Sequence, residues 1–154
     1  MFEKYTEKAR RVIFFARYEV SEFGSKAIEP EHLLLGLLRE DKSLVMRFLP
    51  TNVSIEMLRA QVESYMIKGE RISTSVEIPL SRMSKDVLKY AHEESEDLKH
   101  RHIGTEHLLL GLLRQEKSSS LRRKKESVAE RVLRRNGLEL AEVRQQIKDD
   151  SEKK

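Results

Sequence analysis

The nine residues "EHLLLGLLR" occur twice, at positions 31–39 and again at 106–114. Identity over nine positions is beyond chance, so the chain carries a duplicated architecture, a duplicated site, or both. An offset of 75 extends the match to Ile28–Arg39 over Ile103–Arg114, broken only at Glu29/Gly104 and Pro30/Thr105. Upstream, Val12, Ile13, Ala16 and Phe23 fall on Val87, Leu88, Ala91 and Leu98. Spacings of three, four and seven mark one face of a helix, so an apolar face persists where identity has faded. Downstream, Ser43–Leu49 aligns with Ser127–Leu133 at an offset of 84, which places nine extra residues in the second copy near "SSSLRRKKE". One further residue of shift aligns Val53, Ile55, Leu58 and Val62 with Leu138, Leu140, Val143 and Ile147.

Each copy therefore reads as four helices, near 6–23, 30–40, 43–50 and 54–67 in the first and 81–99, 105–116, 126–136 and 139–149 in the second. The expected organisation is a first repeat over 1–67, a linker over 68–80, a second repeat over 81–150 with a polar and basic insertion near 118–126, and a polar tail at 151–154. Gly69 can end the fourth helix, and Pro79 keeps Ile78 extended. Six glycines and three prolines are too few for a turn-rich all-β chain. The strong helix formers Leu, Glu, Lys, Arg and Ala dominate instead. The fold class is all-α, two pseudo-symmetric four-helix repeats packed into one compact domain. The leucine-rich helices are apolar almost all round, so they should be central. Gly36 and Gly111 recur in mid-helix at a cost of about 1 kcal/mol against Ala, which close approach of another helix would offset.

Several function classes recede on composition. There is no cysteine, hence no disulfide, thiolate chemistry or Cys-ligated zinc. No apolar run approaches the ~20 residues that cross a bilayer, and the N-terminus lacks a signal peptide, so a cytoplasmic protein is expected. The net charge is +4, from 30 basic and 26 acidic residues, mostly interspersed. The exception is Leu121-Arg122-Arg123-Lys124-Lys125 with Arg131, Arg134 and Arg135. That cluster is either a solvated basic face or a phosphate-binding patch of a small nucleic-acid-binding protein. No catalytic constellation is evident, and Glu93, Glu94 and Glu96 read as the solvated face of a helix. His32, His100, His102 and His107 lack a metal-ligand pattern, so no metal and no cofactor are expected.

The opening "MFEKYTEKARRV", both copies of "EHLLLGLLR", the connecting "IPLSRMSKDVL" and the closing "SVAERVLRRNGLELAEVRQQI" together resemble the N-terminal domain of the Clp unfoldases, most closely the ClpC type. The resemblance spans nearly the whole chain. It implies a double four-helix domain that recruits substrate proteins and adaptor proteins to an ATP-driven ring. A full unfoldase needs a phosphate-cradling loop, and no Gly-x-x-x-x-Gly-Lys-Ser/Thr motif can be built from glycines at 24, 36, 69, 104, 111 and 137. The chain is thus an excised N-domain or a free-standing relative that regulates the machine or competes for adaptors. The insertion in the second repeat favours the latter. It is not an enzyme on this reading.

Glu31 and Glu106 open the paired helices. Taken alone, each complements the positive helix start by about 0.3–1 kcal/mol. The resemblance implies a further role, since in ClpC-type domains this glutamate is implicated in binding phosphorylated arginine. A carboxylate pairs with the guanidinium, and the N–H groups of a helix start suit the phosphate. The second copy carries Gly104, Thr105, Glu106 and His107 intact. The first has Pro30 and His32 around Glu31, and Pro30 removes one N–H donor and the hydroxyl, while Glu29 adds a negative charge. The second site should therefore outperform the first. The resemblance also implies a peptide and adaptor groove near Phe2, Tyr5, Leu80, Met83 and Lys85, with Leu80 and Met83 replacing more usual aromatic and small residues.

Overall fold

A computed structural model describes residues 2–114 and 126–153. The helices are α1 (Glu7–Phe23), α2 (Pro30–Glu40), α3 (Lys42–Met46), α4 (Ile55–Glu63), α5 (Arg82–Asp97), α6 (Thr105–Leu113), α7 (Val128–Arg135) and α8 (Leu140–Glu152). They reproduce the two-times-four pattern. Their starts follow capping chemistry: the side chains of Thr6, Asp41, Ser54, Ser81 and Ser127 each accept a backbone N–H from the first turn of α1, α3, α4, α5 and α7. The ends are less regular. α3 and α4 stop short of the expected 50 and 67. Gly69 caps no helix, and its N–H donates instead to Phe23 O at 2.8 Å. α8 runs on to Glu152, into the stretch expected as a tail. The inserted segment at 118–125 lies outside the described residues.

The duplicated helices α2 and α6 form the centre. Leu33, Leu34, Leu35, Leu37 and Leu38 are buried, as are Leu108, Leu109, Leu110, Leu112 and Leu113. The mid-helix glycines are explained by contact. A Cβ on Gly36 would stand 2.4 Å from Val12 O and 2.9 Å from Ala16 N, and one on Gly111 would stand 2.5 Å from Val87 O and 3.1 Å from Ala91 N. α1 and α5 thus press their backbones directly onto α2 and α6.

The repeats are interlocked rather than merely apposed. Thr6 N–H donates to Ile103 O (3.0 Å) and Ile103 N–H to Lys4 O (2.9 Å). The same exchange recurs 75 residues on, with Ser81 N–H donating to Ile28 O (3.0 Å) and Ile28 N–H to Pro79 O (2.8 Å). In each case the segment entering the first helix of one repeat pairs with the segment entering the second helix of the other. The linker lies back along α1, where Ile72 N–H reaches Ser21 O at 3.0 Å and the Arg17 guanidinium donates to the carbonyls of Ser73, Thr74 and Val76.

Each repeat also buries one carboxylate between two arginines. Glu19 accepts from Arg59 at 2.9 and 2.8 Å and from Arg39 at 3.4 Å. Glu94 accepts from Arg144 at 2.7 and 3.0 Å and from Arg114 at 3.1 Å. Both glutamates are 1% exposed, so Glu94 belongs to the interior and not to the solvated face expected for it. Its side chain is paired with two guanidiniums, which a one-dimensional face pattern does not reveal. Arg39 and Arg114, the last residues of the duplicated nonapeptide, also lie over aromatic rings: Arg39 over Phe15 and Tyr18, Arg114 over Tyr90.

Candidate functional site

The starts of α2 and α6 are built alike around a histidine. Glu29 N–H donates to Nδ1 of His32 at 2.9 Å, and Gly104 N–H donates to Nδ1 of His107 at 2.9 Å. Each imidazole thus takes the part that a Glu or Gln three residues into a helix plays in a capping box, accepting the backbone N–H of the residue that precedes the helix. Both rings are 2% exposed. Burial, partly offset by Glu19, pushes His32 down to about 4. Its Nε2 has no hydrogen-bond partner among the described residues. His107 differs, because its Nε2 meets Nδ1 of His100 at 2.8 Å. No grouping of His, Cys, Asp or Glu suited to a metal ion occurs among the described residues.

Glu106 folds back over the start of its own helix. Its Oε1 lies 3.1 Å from His107 Nδ1, and a Cβ on Gly104 would fall 2.1 Å from that same oxygen. Glycine at 104 therefore makes room for the carboxylate. In the first repeat the corresponding position is Glu29, which carries a Cβ there. Burial raises the Glu106 carboxyl, but its contacts with His107, its own backbone N–H and His100 outweigh this and hold it below the usual carboxylate range. Thr105 is committed across the repeats, since its hydroxyl donates to Asp41 Oδ2 at 2.7 Å, with Lys8 Nζ 4.0 Å from the same oxygen.

The two starts also open onto different spaces. Glu106 and His100 line a groove of ≈440 Å³ floored by Leu44 and Ile147 and rimmed by the Arg47–Asp150 ion pair at 2.6 Å and by Ser151. Pro30 is buried against the second repeat, where it lines a cavity of ≈30 Å³ with Met83, Asp86 and Tyr90. That space is about one water molecule across.

Of the residues expected in the peptide groove, Tyr5, Leu80 and Lys85 converge on a cavity of ≈210 Å³ completed by Leu88, His92 and Ile103. Phe2 packs edge-to-face on Tyr5 at 5.0 Å and lines an adjoining cavity of ≈430 Å³ with Arg10 and Ile13. Met83 is drawn away to the Pro30 cavity. The basic run 121–125 lies outside the described residues. Its expected continuation is occupied within the protein: Arg131 pairs with Glu126 at 3.1 Å, Arg134 with Glu130 at 3.1 Å, and Arg135 donates to the Tyr65 hydroxyl.

The chain is thus an all-α domain of two interlocked four-helix repeats with paired glutamate-histidine helix starts. Residues 4–123 match the family model described as the Clp repeat N-terminal domain, and the chain belongs to that family. It is 38% identical over 148 residues to a ClpA homolog of Guillardia theta and 36% identical to the chloroplastic chaperone ClpC of Pisum sativum. These matches cover 96% of the chain but only 17% and 15% of those relatives, so the chain spans about a sixth of their length. Among solved structures, the N-terminal domain of the chaperone ClpD from Arabidopsis thaliana aligns with a TM-score of 0.67 at 30% identity, covering 94% of this chain and 95% of that one. The N-terminal domain of Candida albicans Hsp104 shares the fold, with a TM-score of 0.68 at 18% identity. No helix among the described residues is long and apolar enough to cross a membrane.

Proposed function

We propose that this domain captures substrate proteins and adaptor proteins for a Clp-type ATP-dependent unfoldase, and that the start of α6 takes phosphorylated arginine. The reading rests above all on the ≈440 Å³ groove that opens beside Glu106, a carboxylate in reach of an incoming guanidinium. His107 and Gly104 set the position of that carboxylate. Thr105, tied to Asp41, acts by holding the helix start and not as a phosphate donor. Glu31, with Pro30 and His32, forms the weaker counterpart. The Phe2, Tyr5, Leu80 and Lys85 surface would receive a peptide segment or an adaptor, its apolar wall taking side chains and Lys85 an acidic group. The domain itself performs recognition and no catalysis, and the unfolding work belongs to a separate ATPase ring in the cytoplasm.

Calorimetric titration with free phosphoarginine tests this reading. A charge-assisted contact contributes about 1.5–3 kcal/mol. Glu106→Ala should therefore weaken binding by roughly 10- to 100-fold. Glu31→Ala should have the smaller effect. No heat with the unmodified chain, or a larger loss from Glu31→Ala, would remove the assignment.

A further inference from the structure

The second helix start differs from the first in one more respect, the residue at the register of His100. Ser25 stands there in the first repeat and donates to Ala27 O at 2.9 Å. In the second, His107 Nε2 meets His100 Nδ1 (2.8 Å), His100 Nε2 meets Ser151 Oγ (2.7 Å), and Ser151 donates to Ile147 O (3.0 Å). With both imidazoles neutral, every contact in this chain is satisfied in one direction. His107 Nδ1 accepts from Gly104, its Nε2–H donates to His100 Nδ1, and His100 Nε2–H donates to Ser151.

His107 Nδ1, however, has two neighbours with opposite demands. Gly104 N–H at 2.9 Å requires a lone pair there, whereas the Glu106 oxygen at 3.1 Å requires a proton. The bridge to His100 lets the site serve either one without moving a ring. On taking up one proton, the bridging hydrogen shifts from His107 Nε2 to His100 Nδ1, and the new proton sits on His107 Nδ1 facing Glu106. His100 then holds the charge between two hydrogen bonds, and Gly104 N–H is released. We propose that His100 is a positioning residue that makes Glu106 proton-linked: open to a cationic ligand when the histidine pair is neutral, bound to His107 when the pair is protonated. The first repeat, with Ser25 in that register, lacks the device. The other charged groups facing the pair are Asp150 on α8 and Arg47 just after α3, which neutralise each other, with Asp41 and Lys8 behind Thr105.

The inference concerns the ligand-free protein, so it stands or falls separately from phosphoarginine binding. Long-range ¹⁵N–¹H spectra of the full chain identify which ring nitrogen carries the proton. At pH 8, His107 should carry it on Nε2. Toward pH 5 it should move to Nδ1, with a shift of the Gly104 amide at the same midpoint as the His100 ring. H100S, which copies Ser25 at a partly exposed position, should abolish that shared midpoint and leave His107 on the Nε2–H form. E106Q should keep the fold and lower the midpoint. A His107 ring already protonated at Nδ1 at pH 8, a tautomer unchanged to pH 5, or an H100S titration matching the unmodified chain would overturn the proposal.

Discussion

The buried carboxylate of the second repeat offers the sharpest test of how this fold is held. Glu94 has a side chain 2% exposed and accepts three hydrogen bonds from Arg144 and Arg114, whose own side chains are 41% and 27% exposed. Glu94→Gln keeps the shape but removes the charge, leaving two guanidiniums facing a neutral amide. Breaking one side of a buried pair costs about 3–5 kcal/mol. Here the arginines can turn partly toward water, which places the loss near the lower end, about 3 kcal/mol. For a domain of this size that is a fall in Tm of roughly 6–12 °C. Urea unfolding followed by circular dichroism reads the same quantity with an unchanged slope. Glu142→Gln, at an exposed position on α8, supplies the comparison and should stay within about 0.5 kcal/mol. Because Glu19 is held by Arg59 and Arg39 in matching fashion, Glu19→Gln should lose a similar amount. A loss below about 1 kcal/mol for Glu94→Gln would refute the claim that the ion knot is structural.

The central glycines should resist replacement. Gly111→Ala removes a poor helix former, yet its Cβ meets the α5 backbone at 2.5 Å, so the net effect is a loss of about 1–3 kcal/mol in thermal unfolding, and Gly36→Ala behaves alike. His32 makes stability pH-dependent. Its ordinary pKa of 6.5 falls to about 4 on folding, so the contribution is intact above pH 6.5 and is lost as pH falls toward 4, by about 3 kcal/mol. Urea midpoints from pH 7.5 to 4 should decline less steeply in His32→Asn, which keeps an acceptor for Glu29 N–H. Gly104→Ala should leave the fold intact and displace only the flexible end of Glu106, so an unchanged Glu106 side-chain resonance in NMR would contradict the packing described for that carboxylate.

The duplication carried most of the fold in plain view. A nonapeptide repeated at a fixed offset and apolar positions in helical register specify helices in two sets of four. They also place the leucines inside and ask for close contact at Gly36 and Gly111. These are local or periodic properties, and local chemistry decides them. Helix ends were less legible: α3 and α4 stop short of 50 and 67, and α8 runs on to Glu152. The signal for Glu94 was present too, because Glu19, Arg39 and Arg59 have counterparts at Glu94, Arg114 and Arg144. A charged residue at helical spacing reads the same on a wet face and in a buried knot.

What one dimension could not hold is every relation between distant segments. The crossed pairing of Thr6 with Ile103 and Ser81 with Ile28 depends on how two similar halves face one another. The same facing buries Pro30 against Met83, ties Thr105 to Asp41 and brings Ser151 to His100. Two helix starts that are nearly identical in sequence therefore end in different surroundings. Residue type determined that each start would carry a glutamate and a histidine. Only the packing of one repeat against the other decided that Glu106 borders an open groove, because solvent access and hydrogen-bond partners belong to the assembled surface and not to the segment that contributes to it.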